Sequence, residues 1–375
     1  MLQIDHIYEF LYQNLFKDFE FWHLFNGVPK LNNASLSDIS VFTQKHDQER
    51  KIFFYDQEPF IPQLADPYIN LFRTFCQPSP PVTGTLMTSE ISKDLPIDIH
   101  RLYYFFHGFA ALDWYRGHYA LNYNKSIVKQ YKYDFISFNR IINNDRSYRI
   151  YFVSKLKELG LLDKGLVSFS VTDNLFDDWR DETSDPNTKL SNHARLHIER
   201  NLVDIDKLII DRAELHGSAS ADIPRGNDAF WHIVTETVFY YDKLHLTEKI
   251  FKPIVSKQPF MLLAAPGNLA YLKSYGFKTF DSVIDESYDN IVDNDLRTEA
   301  VVAQLHWYCN LASDEKTDII RQLEPIIDYN FHHFYGEFRH IITRELLDNT
   351  KTLFKEIGYD DSHINYDNIH HILTH

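Results

Sequence analysis

The sequence predicts an α/β fold, because short apolar runs typical of strands alternate with helical segments along most of the chain. Alternation of this kind is typical of layered α/β architecture and argues against an all-helical or all-strand fold. The length of 375 residues exceeds what one hydrophobic core usually fills, so we expect two domains.

Four strands, a helix and a fifth strand are predicted in succession in the first half of the chain. The first strand, at 51–55, runs into the polar loop DQEPF, and the other three begin the segments GTLMTSE, RLYYFFHGF and YDFISFNR. After the fourth strand, Ile150, Val153, Leu156 and Leu159 have the spacing of an amphipathic helix, and GLVSFSV returns as a strand.

A polar stretch from about residue 174 to residue 226 follows, and its composition is typical of an interdomain segment. We therefore place one domain at residues 1–173 and a second at residues 174–375.

Strands and helices alternate again beyond the polar stretch. The segments are FWHIVTETVFY (strand), LTEKIFKPIVSK (helix), QPFMLLAAP (strand), GNLAYLKSYGF (helix) and KTF (strand). Units of this kind form parallel sheets, whose ligands bind beyond the carboxyl ends of the strands. From about Arg297 the pattern is helical, and these C-terminal helices either cap the second domain or cross back to the first.

The composition limits which partners the protein is expected to bind and in which cellular compartment it is expected. The net charge of −15 disfavours non-specific binding to nucleic acid or to anionic membranes, although it leaves open a local basic groove. Cys76 and Cys309 suggest no disulfide framework, the N-terminus lacks the features of a signal peptide, and no apolar run is long enough to span a bilayer. We expect a cytoplasmic protein without an integral membrane segment.

The sharpest candidate for a binding site is Thr247-Glu248-Lys249, at the start of a predicted helix. Thr247 is a suitable N-cap, so Glu248 and Lys249 would lie in the first turn, where unpaired N–H groups and the helix dipole favour anions. Pro253 should bend this helix. The alternative is an ordinary capped helix whose first-turn charges are solvated.

These residues carry a family resemblance. The strand glutamate Glu236, the T-E-K helix start and the apolar strand QPFMLLAAPG resemble the donor-binding half of fucosyltransferase-type enzymes, which have a GT-B fold of two Rossmann-like domains with a cleft between them. FYDQEP, FFHGFAALDWYR and LTEKIFKPI also resemble glycosyltransferase-like proteins of viruses and bacteria. The resemblance implies an N-terminal acceptor domain and a C-terminal nucleotide-sugar domain with a helical tail, located in the host cytoplasm if the protein is viral.

The same resemblance implies roles for single residues. It places Glu248 at the ribose, Lys249 at the diphosphate and Glu236 near the donor sugar. The donor-binding set also includes Tyr240, Lys243 and Thr247. This chain departs from the family in a longer loop between Glu236 and Thr247, and in Thr237 and Val238, which replace an asparagine and a serine.

Arg140 is a further donor-binding candidate, because Phe138-Asn139-Arg140 ends a strand ahead of a helix as in the same family. Its guanidinium could clamp a phosphate with two parallel hydrogen bonds. Arg146 and Arg149 follow, and for these two the alternative is pairing with carboxylates on the helix surface.

Asp56 and Glu58 follow the strand at 51–55 and are the candidates for the catalytic base. An inverting transferase needs a carboxylate that takes the proton of the acceptor hydroxyl. Either residue could do so, with Glu58 preferred, and the alternative is a turn in which the aspartate caps backbone N–H groups.

His107, Asp113 and Trp114 are the acceptor-binding candidates, since polar groups cluster beside aromatic rings in the segment HGFAALDWYR. The alternative is an ordinary core position for His107 and Trp114.

Together these observations predict a nucleotide-sugar-dependent glycosyltransferase that needs neither a metal ion nor a cofactor. Its donor would be a nucleoside-diphosphate sugar, and its acceptor either a glycan or a hydroxylated DNA base as in viral DNA-modifying enzymes. The alternative is a non-catalytic nucleotide- or sugar-binding module with the same fold.

Overall fold

The computed structural model describes residues 6–23, 40–42, 50–60, 83–92, 100–128, 130–139, 141–142, 144–169, 179–202, 205, 227–365, 367, 369 and 371. The chain divides into two compact units, one of Met1–Asp113 with Glu337–His375 and one of Trp114–Gly336. Both units contain a largely parallel sheet and helices, which confirms the predicted α/β class. The predicted boundary between residues 173 and 174 lies outside the described residues and stays a prediction.

The described ranges contain eleven strands and eleven α-helices. The strands are β1 (Glu20–His23), β2 (Ser40–Phe42), β3 (Arg50–Tyr55), β4 (Thr83–Thr88), β5 (Ile91–Ser92), β6 (His100–Tyr103), β7 (Tyr133–Ser137), β8 (Gly165–Val167), β9 (Ala229–Thr235), β10 (Lys243–Leu244) and β11 (Phe260–Leu263). The helices are α1 (Ile7–Asn14), α2 (Phe106–Trp114), α3 (His118–Asn122), α4 (Tyr148–Glu158), α5 (Trp179–Ser184), α6 (Asn192–Asn201), α7 (Phe251–Val255), α8 (Asn268–Ser274), α9 (Asn294–Cys309), α10 (Ser313–Tyr335) and α11 (Glu337–Glu356).

The sheet of the first unit has the strand order β2-β1-β3-β4-β6. Strand β2 is antiparallel to β1, and the other neighbouring strands are parallel. Helix α11 belongs to this unit, where Phe338 packs edge-on against Phe105. The last helix of the described chain therefore crosses back to the first unit, whereas α9 and α10 stay in the second.

The sheet of the second unit is fully parallel, with the order β11-β9-β7-β8. Every residue of β9 and of β11 is buried, as expected for parallel strands covered on both faces. From β7 the chain continues to β8 on one side and later to β9 and β11 on the other, so the strand order reverses between β7 and β9. In open α/β sheets, ligands bind at such a reversal, outside the carboxyl ends of the strands.

The predicted strand KTF at 278–280 is wrong. The Lys278 N–H donates to Asn330 Oδ1 at 2.9 Å, Asn330 Nδ2 donates to the Lys278 carbonyl at 2.8 Å, and the Phe280 N–H donates to Glu286 Oε1 at 2.7 Å. Because side chains satisfy these backbone groups, the segment does not need a neighbouring strand.

The polar stretch between about residues 174 and 226 contains helices in its described part. Helices α5 and α6 lie there, and both belong to the second unit. Ser191 caps α6 by accepting a hydrogen bond from the Ala194 N–H at 3.0 Å. The remainder of this stretch lies largely outside the described residues.

We expect Gly165→Ala to destabilise the second unit. Gly165 pairs with Phe135 on β7, and a Cβ at this glycine would lie 2.3 Å from Cζ of the fully buried Phe135 ring. Overpacking of this kind costs about 1–3 kcal/mol. Gly117→Ala is the matched control, because a Cβ there meets nothing within 4 Å. Equal free energies of unfolding for the two variants, measured in urea, would contradict this account.

Candidate functional site

Glu236 lies directly after β9, at the point where the strand order of the second sheet reverses. Its side chain is fully buried, and its carboxylate accepts hydrogen bonds from the Thr237 N–H at 3.1 Å, the Thr247 N–H at 3.1 Å and the Thr247 hydroxyl at 2.6 Å. Hydrogen bonds to a carboxylate are the strong kind. Glu236 therefore fastens the segment that carries Thr247 to the end of β9.

The turn that opens at Thr247 has the predicted geometry. The Thr247 hydroxyl accepts from the Lys249 N–H at 3.4 Å, and a 3₁₀ turn at Glu248–Ile250 leads into α7. Glu248 and Lys249 thus lie in the first turn after the N-cap, as predicted. Pro253 lies inside α7, which ends at Val255.

The Lys249 ammonium is held in place on this turn. Its Nζ donates to the hydroxyls of Thr237 and Thr247, both at 3.1 Å, and lies 3.4 Å from Glu248 Oε1. The Lys249 side chain is 32% exposed, whereas that of Glu248 is 7% exposed. Two hydroxyls thus orient the ammonium, and because about a third of the side chain is exposed, an anionic ligand can reach Lys249.

Tyr240 and Lys243 lie on the segment between Glu236 and Thr247. The Tyr240 hydroxyl lies 2.9 Å from Ser147 Oγ, in the segment that follows β7, and the Tyr241 hydroxyl donates to Asp145 Oδ1 at 2.6 Å in the same segment. Lys243 is buried at 8% exposure in the short strand β10. The loops after β7 and after β9 are therefore joined side chain to side chain.

Arg149 adds a second connection between these loops. Its guanidinium donates to the carbonyls of Ile141 at 2.9 Å and Thr235 at 2.7 Å, and Tyr148 donates to the carbonyl of Glu236. At 3% exposure Arg149 is buried, so the alternative that it pairs with carboxylates on the helix surface is wrong. Arg140, the predicted phosphate clamp, lies outside the described residues.

The first unit also gathers polar side chains at the carboxyl end of its sheet. Asp56 follows β3, and its fully buried carboxylate accepts hydrogen bonds from the hydroxyls of Tyr8, at 3.1 and 3.2 Å, and of Tyr104. Ser89, after β4, donates to the Asp56 carbonyl, and the Phe60 N–H donates to Glu90 Oε2 at 2.6 Å. These bonds fix the loop that carries Glu58.

Burial raises the pKa of Asp56 from 3.8 to about 6, against the opposing effect of the Tyr104 and Tyr8 hydrogen bonds. Burial also raises the pKa of Tyr8 and of Tyr104 well above 10, with a further contribution from the charge of Asp56. Both tyrosines thus remain hydrogen-bond donors over the physiological pH range. The surroundings of Asp56 suit a group that holds a loop, and only a displacement of that loop would let Asp56 reach a ligand.

The other candidates of the first half lie close to this cluster in the sequence. Glu58 is half-buried, so of the two candidate bases it is the one with exposed surface. His107 and Asp113 are buried in α2, and a positive charge on His107 lowers the pKa of Asp56. Trp114 is half-buried at the end of α2 and belongs to the second unit.

Sequence reasoning missed Tyr8, Tyr104, Glu90 and the buried role of Arg149. Tyr8 lies on α1, 48 residues before Asp56, and no sequence spacing indicates that they meet. Glu90 and Tyr104 do follow predicted strands, so the rule that ligands bind beyond strand ends could have included them. For Arg149 the apolar neighbours in YRIYFV were the available signal.

Within the described ranges, no three His, Cys, Asp or Glu side chains converge in a way that could hold a metal ion. The predicted independence from metals and cofactors stays a prediction. Each helix in these ranges is too short or too polar to traverse a lipid bilayer.

We expect Asp56→Asn to change how stability depends on pH. A pKa of about 6 in the folded chain, against 3.8 as the ordinary value, means that the folded state binds the proton more tightly. The wild type should therefore lose about 3 kcal/mol of stability as pH rises through this interval, with little further change above it. The Asn side chain cannot ionise. Between pH 4 and pH 7, the free energy of unfolding of Asp56→Asn, measured in urea, should therefore rise relative to that of the wild type by most of this amount.

The Tyr8→Phe variant serves as the control for Asp56, because it removes a hydrogen bond that lowers the pKa of this carboxyl. The pH dependence should then move to higher pH. A stability difference between Asp56→Asn and wild type that is the same at both pH values would refute the assignment.

Comparison with known proteins gives no match: no family model matches the chain, and no curated protein or solved structure matches it significantly.

Proposed function

We propose that the chain is a GT-B glycosyltransferase that moves a sugar from a nucleoside-diphosphate sugar to an acceptor hydroxyl. One observation supports this most. At the reversal of the second unit's parallel sheet, Glu236 anchors a turn on which two hydroxyls orient the ammonium of the partly exposed Lys249 side chain. A fixed cation at this place suits the diphosphate of a nucleotide, because the ends of parallel strands are where such sheets bind nucleotides.

The leaving diphosphate develops the largest charge in sugar transfer. Lys249, fixed before the ligand arrives, can stabilise that charge without paying for reorganisation. Glu248, in the same turn, has a carboxylate that can accept hydrogen bonds from ribose hydroxyls. Glu236 already accepts three hydrogen bonds from the chain, so in this proposal it positions the turn and presents at most one remaining lone pair to the donor sugar.

In the first unit, we assign Glu58 as the base that takes the acceptor proton. Its partial exposure supports this choice over Asp56, whose carboxylate is fully buried against two tyrosine hydroxyls. Asp56 then acts as a positioning residue for the loop that carries Glu58. His107, Asp113 and Trp114 remain the proposed acceptor-binding residues.

A glycan is the favoured acceptor. The chain carries a net charge of −15, whereas a modified DNA base would require a basic channel to hold the phosphate backbone. Aromatic residues make up 15% of the chain, and rings of this kind pack against sugar faces as well as in cores.

Lys249→Ala should lower kcat for sugar transfer about 100-fold or more, since it removes a preorganised charge at the leaving group. It should also weaken the thermal stabilisation by nucleoside-diphosphate sugars in a screened panel. Lys132→Ala is the matched control, because Lys132 is an exposed lysine just before β7, at the opposite end of the same sheet. Full transfer activity in the folded Lys249→Ala variant would refute the proposed donor site.

Glu58→Gln should lower kcat about 100-fold while leaving donor affinity unchanged, because it removes only the base for the acceptor proton. Transfer and donor binding, measured separately, test this split. If a nucleotide sugar binds the wild type but no acceptor in a glycan panel is ever modified, the chain is a binding module instead. If kcat of the variant equals that of the wild type, Glu58 is not the base.

A further inference from the structure

Four buried side chains form a column beside the candidate site in the second unit. The Arg149 guanidinium lies 5.7 Å from the Tyr148 ring centre, Tyr148 stacks on Phe239 with ring centres 3.9 Å apart, and the Arg297 guanidinium lies 4.2 Å from the centre of Phe239. Two cations thus enclose two stacked rings. Phe239 belongs to the segment that links Glu236 to the T-E-K turn.

Both arginines hold this segment through backbone carbonyls. Arg149 Nη2 donates to the carbonyl of Thr235 at 2.7 Å and lies 3.3 Å from that of Glu236. Arg297 Nη2 donates to the carbonyl of Phe239 at 2.8 Å, and its Nη1 donates to that of Ile291 at 2.7 Å. One guanidinium therefore holds the end of β9 at Thr235, and the other holds the following segment at Phe239.

Neither arginine has a carboxylate within ion-pair distance among the residues that the structure describes. The acceptors of Arg149 are carbonyls and the Tyr148 hydroxyl, and those of Arg297 are carbonyls and Asn294 Oδ1. Arg149 is 3% exposed and Arg297 is 1% exposed, and burial lowers the pKa of Arg297 to about 10. In addition, Arg297 Nε is buried and meets no acceptor in the described ranges.

Two buried cations that form no direct ion pair are costly, because carbonyl dipoles replace only part of the hydration that a guanidinium loses. The carboxylates of Asp289 and Asp293 act on Arg297 only from beyond ion-pair distance. The cost is reduced when an anion binds nearby, and the effect acts over several ångströms since buried charges are poorly screened. Arg149 contacts the chain at Thr235, two residues before Thr237, and Arg297 contacts it at Phe239, two residues after Thr237. Thr237 in turn contacts the Lys249 ammonium at 3.1 Å.

We propose that Arg149 and Arg297 are positioning residues whose buried charges make this site favour a multiply charged phosphate ligand, with the ligand's diphosphate supplying the counter-charge that neither arginine has at ion-pair distance in the described part of the chain. The inference rests on the proposed donor site and goes beyond it. It assigns the preference for a diphosphate to two residues that do not touch the ligand, and leaves Lys249 as the contact. If the two arginines had only a structural role, their hydrogen bonds to the backbone would suffice, and their charge would not affect ligand binding.

The test separates charge from hydrogen bonding with inorganic pyrophosphate as the probe. Arg149→Met and Arg297→Met remove the charge and keep the length, whereas Arg149→Lys and Arg297→Lys keep the charge and lose the fork of parallel donors. By titration calorimetry, each Met variant should bind pyrophosphate about tenfold more weakly than wild type, and each Lys variant should stay within about threefold.

Arg321→Met is the matched control. Arg321 is an exposed arginine of the same unit, 62% exposed and paired with Asp318, so its removal changes the net charge equally without touching the column. Its pyrophosphate affinity should stay within about twofold of wild type, because surface charges are screened. A loss in this control as large as in the Met variants would overturn the inference.

Two further results would overturn it: folded Met variants that bind pyrophosphate as tightly as wild type, or Lys variants that lose affinity as strongly as Met variants. If a Met variant does not fold, the Gln variant at the same position, which also removes the charge, takes its place in the comparison with the Lys variant. Wild type that binds pyrophosphate but no nucleoside diphosphate would refute the proposed donor while the charge assignment stands. Wild type that binds neither would overturn both.

Discussion

The Glu236 carboxylate is the interaction on which the second unit's site depends. It is buried at the end of a fully buried parallel strand and accepts three hydrogen bonds, two of them from Thr247. A buried carboxylate is tolerated only when its oxygens are satisfied, so the strand end and the turn cannot separate without exposing an unpaired charge. That condition places the Lys249 turn at a fixed distance from the sheet. The geometry of the turn is therefore set by a residue outside it.

The first unit also has a buried carboxylate at a strand end that holds a loop in place. Asp56 is likewise a buried carboxylate directly after a parallel strand, but it is satisfied by the hydroxyls of Tyr8 and Tyr104 in place of backbone N–H groups. Hydroxyl donors leave the pKa of Asp56 raised, since burial outweighs their opposing effect. In each unit, a buried carboxylate at a strand end thus fastens the loop on which a partly exposed functional candidate lies.

Local patterns predicted much of this structure, and contacts distant in sequence account for what they missed. The helix start at Thr247 depends on a side chain and an N–H two residues apart, so it was readable from the sequence. The segment 278–280 has the composition of a strand, yet Asn330, some fifty residues later, satisfies its backbone. Likewise, Arg149 looked like a surface residue because its carbonyl partner at Thr235 lies 86 residues away. Secondary-structure propensity reflects neighbouring residues, so it cannot predict a hydrogen-bond partner that lies this far away in the sequence.

The division of the chain has a consequence for the order of folding during synthesis. All of Trp114–Gly336 emerges from the ribosome before α11 does, so the second unit has its complete core while the first still lacks a helix. Until then, the surface around Gly108, against which Phe338 and Ile342 pack, stays uncovered. The unit whose sequence begins first is therefore the last to be completed, and the apolar surface that α11 covers is exposed to solvent until then.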